Sequence, residues 1–118
     1  MPSLAAEAAE NADGRVANEG WSGSGPPAHP TFPVTQGLNG HAIRAGSLAL
    51  SNDVSRDPRY LTNQEDTGSE LIVPVFLAGR VVGTLDAESA NIGAFGSQAI
   101  LWYATVAPAL QPLWESTG

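Results

Sequence analysis

The strongest constraint on the fold is a long apolar stretch at residues 71–87, LIVPVFLAGRVVGTLDA. Two runs rich in β-branched residues flank Ala78-Gly79, a pattern typical of a β-hairpin. We expect a three-residue loop that ends at Gly79, with this glycine in the left-handed position of a bulge. Such a loop pairs Phe76 with Arg80.

Alternation along these strands predicts three acidic side chains on one face. Residues two apart in a strand share a face and lie roughly 6.6 Å apart, and the expected loop places Glu70 opposite Asp86, beside Glu88. Three nearby carboxylates repel one another, so such a cluster favours a cation: an ammonium group, an arginine or a metal ion. The alternative is a set of solvated acids at a strand end. A slip of one residue in the hairpin would move Glu70 to the other face.

The opposite face of the hairpin is predicted to be apolar and to pack under helices. It would carry Leu71, Val73, Val75, Val81, Leu85 and Ala87, while Val82 and Thr84 would share the acidic face. Pro74 has no N–H to donate, so the first strand needs an open edge or a bulge at that point.

Shorter elements are predicted on both sides of the hairpin. They are a helix at 37–45, a strand at 48–51, a helical turn beginning at Asp57-Pro58, and a C-terminal helix from Ser97 that Pro108 and Pro112 kink or shorten. The C-terminal segment ends in Leu110, Leu113 and Trp114, and apolar residues of this kind favour association.

The composition changes near residue 35, which suggests an N-terminal part at 1–35 and a core at 36–118. Residues 3–12, SLAAEAAENA, favour a short helix with Ser3 as N-cap. Residues 15–20 are a weak strand candidate. Half of residues 20–33 are Gly or Pro, which indicates a loop.

Composition excludes several classes of protein. The 118 residues include no Cys, so a disulfide scaffold, a thiolate metal site and a cysteine nucleophile are excluded. A net charge of −7 argues against nucleic-acid binding, and no apolar run is long enough to span a membrane. The N-terminus has no secretory signal pattern, so a cytoplasmic protein is expected. His29 and His41 lack metal-ligand spacing, and neither a metal site nor a cofactor is predicted.

Ordered motifs in residues 36–115 resemble the GAF domain family. In chain order they are QGLNG at 36–40, NDV at 52–54 with DP at 57–58, SELIVPV at 69–75 and GRVVGTLDAES at 79–89. The resemblance implies an α+β fold: a GAF-like antiparallel sheet with helices packed on one face and a small-molecule site on the other. It also implies a homodimer, because many GAF domains dimerise through terminal helices.

The resemblance also predicts a shortened N-terminus. GAF domains have a helix and a central strand before the strand that residues 15–20 match. Only 14 residues precede Arg15. We therefore expect a shortened domain or a fragment, whose open strand edges a partner chain or the Ala-rich start would cover.

Within the family, the chain is most similar to the free methionine-(R)-sulfoxide reductases, which share the hairpin pattern. In those enzymes three acids hold the substrate, and Glu70, Asp86 and Glu88 match them. Their chemistry uses cysteines, one of which lies beside the glycine that Gly40 matches. Here that position is Asn39, and the chain has no cysteine.

Three functions follow as hypotheses. The first is a non-enzymatic, sensor-type GAF domain whose acids bind a small molecule, with an amine as the expected ligand group. The second is a methionine sulfoxide reductase homologue that has lost its catalytic cysteines, and the third is a dimerising structural module without a ligand. Buried acids beside an apolar floor would favour the first two, and a flat, solvated acidic patch the third.

Overall fold

The computed structural model describes residues 3–8, 15–22, 31–33, 37–59 and 67–115. The strands in these ranges are β1 Ser3–Ala8, β2 Arg15–Ser22, β3 Thr31–Pro33, β4 Ala49–Ser51, β5 Ser69–Leu77 and β6 Arg80–Ser89. The helices are α1 Gly37–Ala45, α2 Ser97–Val106 and α3 Pro112–Glu115, with 3₁₀ turns at Val54–Arg56 and Ala107–Leu110. The strands pair antiparallel in the order β3-β2-β1-β6-β5-β4. The expected α+β class with an antiparallel sheet is confirmed.

The β5–β6 hairpin is confirmed, but its loop is one residue shorter than predicted. Only Ala78 and Gly79 form the loop, with φ angles of 53° and 80°. Positive φ at both positions gives a type I′ turn, whose twist suits a two-residue hairpin. The predicted pairing of Phe76 with Arg80 is wrong, because Arg80 pairs with Leu77.

A bulge in β6 follows directly after the turn. Phe76 pairs with Val81 and Val75 pairs with Gly83, which leaves Val82 as the extra residue. The bulge turns Val82 toward the apolar cluster under the C-terminal helices. Val82 therefore takes the place in the apolar layer that the sequence pattern assigned to Val81.

Pro74 lies where β5 has an open side. The short strand β4 pairs with β5 only between Glu70 and Ile72. Beyond Ile72 the described part of the sheet has no neighbour on that side of β5, so the missing N–H of Pro74 leaves no ladder bond unmade.

The N-terminal residues Ser3–Ala8 form a strand, so the helix predicted for residues 3–12 is wrong. This strand, β1, pairs with β2 on one side and with β6 on the other. Ala and Glu favour a helix by only a few tenths of a kcal/mol per residue, and pairing along both edges outweighs that preference. The expected absence of a central strand is also wrong, because β1 is that strand.

The other N-terminal predictions have mixed outcomes. The strand predicted at 15–20 is confirmed as β2, and the end of the predicted loop forms β3. Residues 23–30 of that loop lie outside the described residues. Because β1–β3 and the hairpin belong to one sheet, the change in composition near residue 35 does not coincide with a boundary in the sheet.

Each face of the sheet carries its own apolar cluster. On one face the predicted residues of β5 and β6 pack against the C-terminal segment; the buried members are Leu71, Val73, Val75, Leu85, Ala87, Phe95, Tyr103, Ala107 and Trp114. On the other face Ile72 packs with Leu38 and Ala42 of α1 and with Ala49. The C-terminal helices thus cover one face as expected, and α1 is a short cover on the face that carries the acids.

A 3₁₀ turn lies just before the helical turn that the sequence predicts at Asp57-Pro58. Asp53 is the N-cap of the 3₁₀ turn Val54–Arg56, and its Oδ1 accepts hydrogen bonds from the backbone N and the Oγ of Ser55 at 3.1 and 2.6 Å. Asp57 is the C-cap of that turn. The predicted helical turn runs from Pro58 into residues that lie outside those described. Pro58 and Arg59 form a turn, and Asp57 Oδ1 accepts a hydrogen bond from the backbone N of Arg59 at 2.9 Å.

The C-terminal helix is interrupted as predicted. A 3₁₀ turn that contains Pro108 follows α2, and α3 begins at Pro112. None of the helices in the described ranges is long and apolar enough to cross a membrane.

Candidate functional site

The structure brings together the three acids that the strand pattern singled out. Glu70 pairs with Glu88 across the hairpin, and Asp86 lies two residues earlier on β6, opposite Ile72. One carboxylate oxygen from each acid lies within 4.8 Å of the others. We call Glu70, Asp86 and Glu88 the acid trio.

The predicted pairing of Glu70 with Asp86 is wrong, yet the three acids still share a face. The shorter loop moves the register by one residue, and the bulge at Val82 moves it by one more. A total shift of two residues keeps every side chain on its face, whereas a shift of one would have reversed it.

The acid trio is buried, so the alternative of solvated acids at a strand end is wrong. Glu70, Asp86 and Glu88 are 4%, 2% and 5% exposed. At 4.8 Å two unit charges repel by roughly 3 kcal/mol at an effective dielectric constant of about 20. A bound cation or a shared proton would relieve this repulsion.

Two neutral side chains donate hydrogen bonds to the trio. Asn39 Nδ2 of α1 donates to Asp86 Oδ2 at 3.2 Å, and Thr84 Oγ1 donates to Asn39 Oδ1 at 2.5 Å. Thr67 Oγ1, just before β5, donates to Glu88 Oε1 at 3.1 Å. Asp86 and Glu88 thus each have a carboxylate oxygen that accepts from a neutral donor.

The chain around the ends of β5 and β6 is tied together beside the trio. The fully buried Ser69 Oγ donates to the carbonyl of Asn91 at 2.6 Å and accepts from the N–H of Ala94 at 3.3 Å. Gly68 donates to the carbonyl of Ser89 at 2.7 Å. These bonds fix the strand ends from which Glu70 and Glu88 project.

Position 68 has no room for a Cβ atom and therefore requires glycine. A Cβ atom added there would lie 2.5 Å from the carbonyl oxygen of Ala90. The close approach of these two backbone segments keeps the ends of the strands together.

Three carboxylate oxygens at this spacing suit an ammonium group. If they stand 4.8 Å apart, a point equidistant from all three lies 4.8 Å divided by √3, about 2.8 Å, from each, the usual length of a charge-assisted N–H···O bond. An ammonium group has three N–H donors, one for each acid. A hard divalent cation also takes carboxylate oxygens but prefers them at about 2.0–2.6 Å.

A bidentate ion pair joins Arg59 to Asp57 beside the edge strand β4. Asp57 accepts from Arg59 Nε at 3.0 Å and from Nη2 at 2.7 Å, and Nη2 also reaches the carbonyl of Leu50 at 3.2 Å. The hydrogen bond from Arg59 lowers the pKa of Asp57 to about 2. This clamp holds the chain after the 3₁₀ turn against the edge strand β4.

The remaining sequence candidates that the structure describes do not join the trio. His29 lies outside what the structure describes. His41 is half-buried on α1, Trp102 is exposed, and Trp114 is buried in the apolar cluster.

Sequence reasoning missed the roles of Asn39, Thr84 and Thr67 as donors in this site. The sequence identifies Asn39 only as the residue at a position where the family has a cysteine. It identifies Thr84 only as a residue on the same face as the acids. Their contacts span 45 to 47 residues for Asn39 and 21 residues for Thr67. No local pattern reports a contact of that separation.

Comparison with known proteins places the fold in a recognised group. A structure of type II free methionine-R-sulfoxide reductase from Thermoplasma acidophilum matches with a TM-score of 0.86 at 25% identity, covering 94% of this chain and 77% of that one. The free methionine-R-sulfoxide reductase from Neisseria meningitidis, in complex with its substrate, matches with a TM-score of 0.86 at 23% identity, covering 96% of this chain and 66% of that one.

A GAF domain from a different kind of protein matches at a similar level. The GAF domain of an Acinetobacter phosphoenolpyruvate-protein phosphotransferase has a TM-score of 0.80 at 18% identity, covering 94% of this chain and 68% of that one. No curated protein matches the chain by sequence. Identities below 25% show a shared fold and leave the activity open.

The sequence itself matches the family model of the GAF domain over residues 5–110. That range runs from the central strand β1 to the 3₁₀ turn after α2 and contains the whole acid trio. The chain therefore belongs to the GAF domain family.

Proposed function

We propose that this GAF domain binds a small molecule with an ammonium group at the acid trio and carries out no thiol chemistry. The observation that carries the proposal is the convergence of three buried carboxylates within 4.8 Å. A role of this kind is that of a sensor, in which occupancy of the site is the signal.

Electrostatics supports a cationic ligand group. Burying three acids together is costly unless a cation compensates their charge. The spacing of the oxygens accommodates a nitrogen at hydrogen-bond distance from all three. An apolar cluster of Ile72, Leu38 and Ala42 lies on the same face as the trio, and we expect an aliphatic part of the same ligand to lie beside it.

Free methionine sulfoxide is the first ligand to test. The structural match at 25% identity is to a reductase of that amino acid, and the molecule joins an ammonium group to a short aliphatic chain. The chain has no cysteine to act as the nucleophile. A reductase homologue that has kept substrate binding and lost the reaction is therefore the second candidate.

Thermal unfolding with matched ligands tests the proposal. L-methionine sulfoxide at 100 times its dissociation constant should stabilise the protein by about 2.7 kcal/mol. N-acetyl-methionine sulfoxide lacks the ammonium charge and should not. Equal stabilisation by the acetylated compound, or stabilisation by Ca²⁺ or Mg²⁺ alone, would contradict an ammonium site.

Matched variants locate the binding. Glu88→Gln keeps the side chain's shape and removes one charge of the trio, so it should weaken binding. Asp53→Asn removes a carboxylate that accepts hydrogen bonds from Ser55, and it should leave binding unchanged. Equal effects of the two substitutions would argue for a nonspecific charge effect.

A homodimer is proposed for a separate reason. Leu101 and Trp102 of α2 are 68% and 56% exposed, and Leu113 is 50% exposed. A helix with apolar residues on its outer face favours a partner. The expected open edge beside β6 no longer supports association, because β1 pairs there, and Trp114 belongs to the core. A dimer without any ligand at the trio would favour the structural module.

A further inference from the structure

Asn39 occupies a position in the candidate site that the proposed function does not yet use. It lies in the first turn of α1, is 5% exposed, and connects the hydroxyl of Thr84 to the carboxylate of Asp86. Thr84 is fully buried, so the three side chains form a polar chain that is shielded from water.

The chemistry of the three groups fixes the direction of this chain. An ionised carboxylate only accepts hydrogen bonds, so Asp86 requires the NH₂ side of the Asn39 amide. The carbonyl oxygen of Asn39 then faces Thr84, whose hydroxyl can donate to it. A flipped amide would set an oxygen against the carboxylate and leave its NH₂ group facing the hydroxyl. Each hydrogen therefore points along the chain toward Asp86.

We infer that Asn39 is a positioning residue of the ligand site: it holds the Asp86 carboxylate ionised and in a fixed orientation beside Glu70 and Glu88, ready for a ligand ammonium group. The inference rests on the proposed function for the ammonium ligand. Within it, Asn39 acts only through Asp86. The neutral amide is the useful group here, because it donates to a carboxylate without adding charge to the trio.

Other side chains of similar size cannot replace this amide. Asp at position 39 keeps the shape but only accepts when ionised, and its oxygen would stand about 3.2 Å from Asp86 Oδ2. Leu keeps the approximate volume and offers no donor. The series Asn39→Asp, Asn39→Leu and Thr84→Val therefore separates hydrogen bonding from packing. Gln98→Glu is the control for an amide-to-carboxylate change, because Gln98 is exposed on α2 across the sheet.

The first measurement needs no ligand. The carboxyl ¹³C resonance of Asp86 is followed against pH in the wild type and in the variants. Loss of the Asn39 donor should raise the midpoint of the Asp86 titration by about one pH unit or more in Asn39→Leu, and by less in Thr84→Val. The other charged residues are Glu70, Arg80 and Glu88 on the hairpin strands and His41 and Arg44 on α1, and Glu7 of β1 pairs with Thr84. The carboxyl signals of Glu7, Glu70 and Glu88 and the imidazole signals of His41 are recorded in the same series.

The second measurement is calorimetric binding of L-methionine sulfoxide. We expect Asn39→Leu and Asn39→Asp to bind it at least about tenfold more weakly, the factor for losing a hydrogen bond to a charged group. Gln98→Glu should bind like the wild type.

The outcomes separate this inference from the proposed function. An unchanged Asp86 titration in folded Asn39→Leu, or in Thr84→Val if the leucine variant does not fold, overturns the role of Asn39. A shifted titration with no binding by the wild type supports the hold of Asn39 on Asp86 and refutes methionine sulfoxide as the ligand. A shifted titration with unchanged affinity refutes positioning for binding.

Discussion

Asp86→Asn should raise the free energy of unfolding of the ligand-free protein at neutral pH. The trio oxygens lie within 4.8 Å of one another, and each pair of ionised acids repels by roughly 3 kcal/mol at an effective dielectric constant of about 20. The substitution removes Asp86 from two such pairs and keeps its shape. The full repulsion is an upper bound, because a proton shared within the trio reduces it.

The opposing effect is the weaker hydrogen bond from Asn39. In the wild type Asn39 Nδ2 lies 3.2 Å from Asp86 Oδ2. Asparagine at position 86 still offers a carbonyl oxygen to this donor. The loss is then the difference between a charge-assisted and a neutral hydrogen bond, about 1 kcal/mol. We expect a net stabilisation of about 1–2 kcal/mol, since the relieved repulsion is larger.

Urea unfolding at several pH values between 5 and 8.5 checks this prediction. The advantage of Asp86→Asn over the wild type should grow as pH rises, because repulsion requires ionised carboxyls. Glu88→Gln should shift stability in the same direction, whereas Asp53→Asn should not. If Asp86→Asn instead loses more than about 1 kcal/mol at neutral pH, Asp86 is a structural hydrogen-bond acceptor and the repulsion argument fails.

Four other outcomes are expected. Asp57→Asn should lower the free energy of unfolding by about 1–2 kcal/mol at pH 7, which is less than the full pKa shift of Asp57 implies because Arg59 is partly exposed. The pKa of Asp57 is lowered from 3.8 to about 2. An acid titration of the wild type should therefore show this contribution intact above pH 4 and lost as pH falls through 2. Trp102→Glu should convert a dimer into a monomer by light scattering, and an unchanged mass would place any interface elsewhere. Gly68→Ala should lower the unfolding midpoint, because its Cβ meets the Ala90 carbonyl oxygen at 2.5 Å. The protein should not reduce methionine sulfoxide with dithiothreitol; turnover above a blank reaction would show chemistry that needs no cysteine.

The features that sequence predicted correctly depend on local patterns. Alternation of apolar residues specifies the hairpin, and the spacing of Asp86 and Glu88 places both on one face whatever the loop length. The position of Glu70 was less secure, because it depended on a loop with one residue too many and on an unseen bulge. The two errors compensated, since together they moved the register by an even number.

The features that sequence missed depend on distant partners. The segment Ser3–Ala8 has helix-favouring composition, and its strand conformation comes from β2 and β6 on either side. Asn39 likewise acquires its role from Thr84 and Asp86, which lie 45 and 47 residues away. Propensity describes the conformation that an isolated segment prefers. The conformation of Ser3–Ala8 and the role of Asn39 depend instead on the residues that they contact in the folded protein.

The position of the acid trio within the sheet explains how the fold tolerates the repulsion between the three carboxylates. The trio lies on strands that are paired on both sides at this level: β6 lies between β1 and β5, and β5 between β6 and β4. The opposite face of the same two strands packs on the C-terminal helices through the larger apolar cluster. A rigid, well-packed support of this kind can hold like charges together that would separate on a loop. The lower stability of the ligand-free protein is then a consequence of a site arranged for binding. Asp86→Asn should therefore raise the free energy of unfolding and weaken ligand binding.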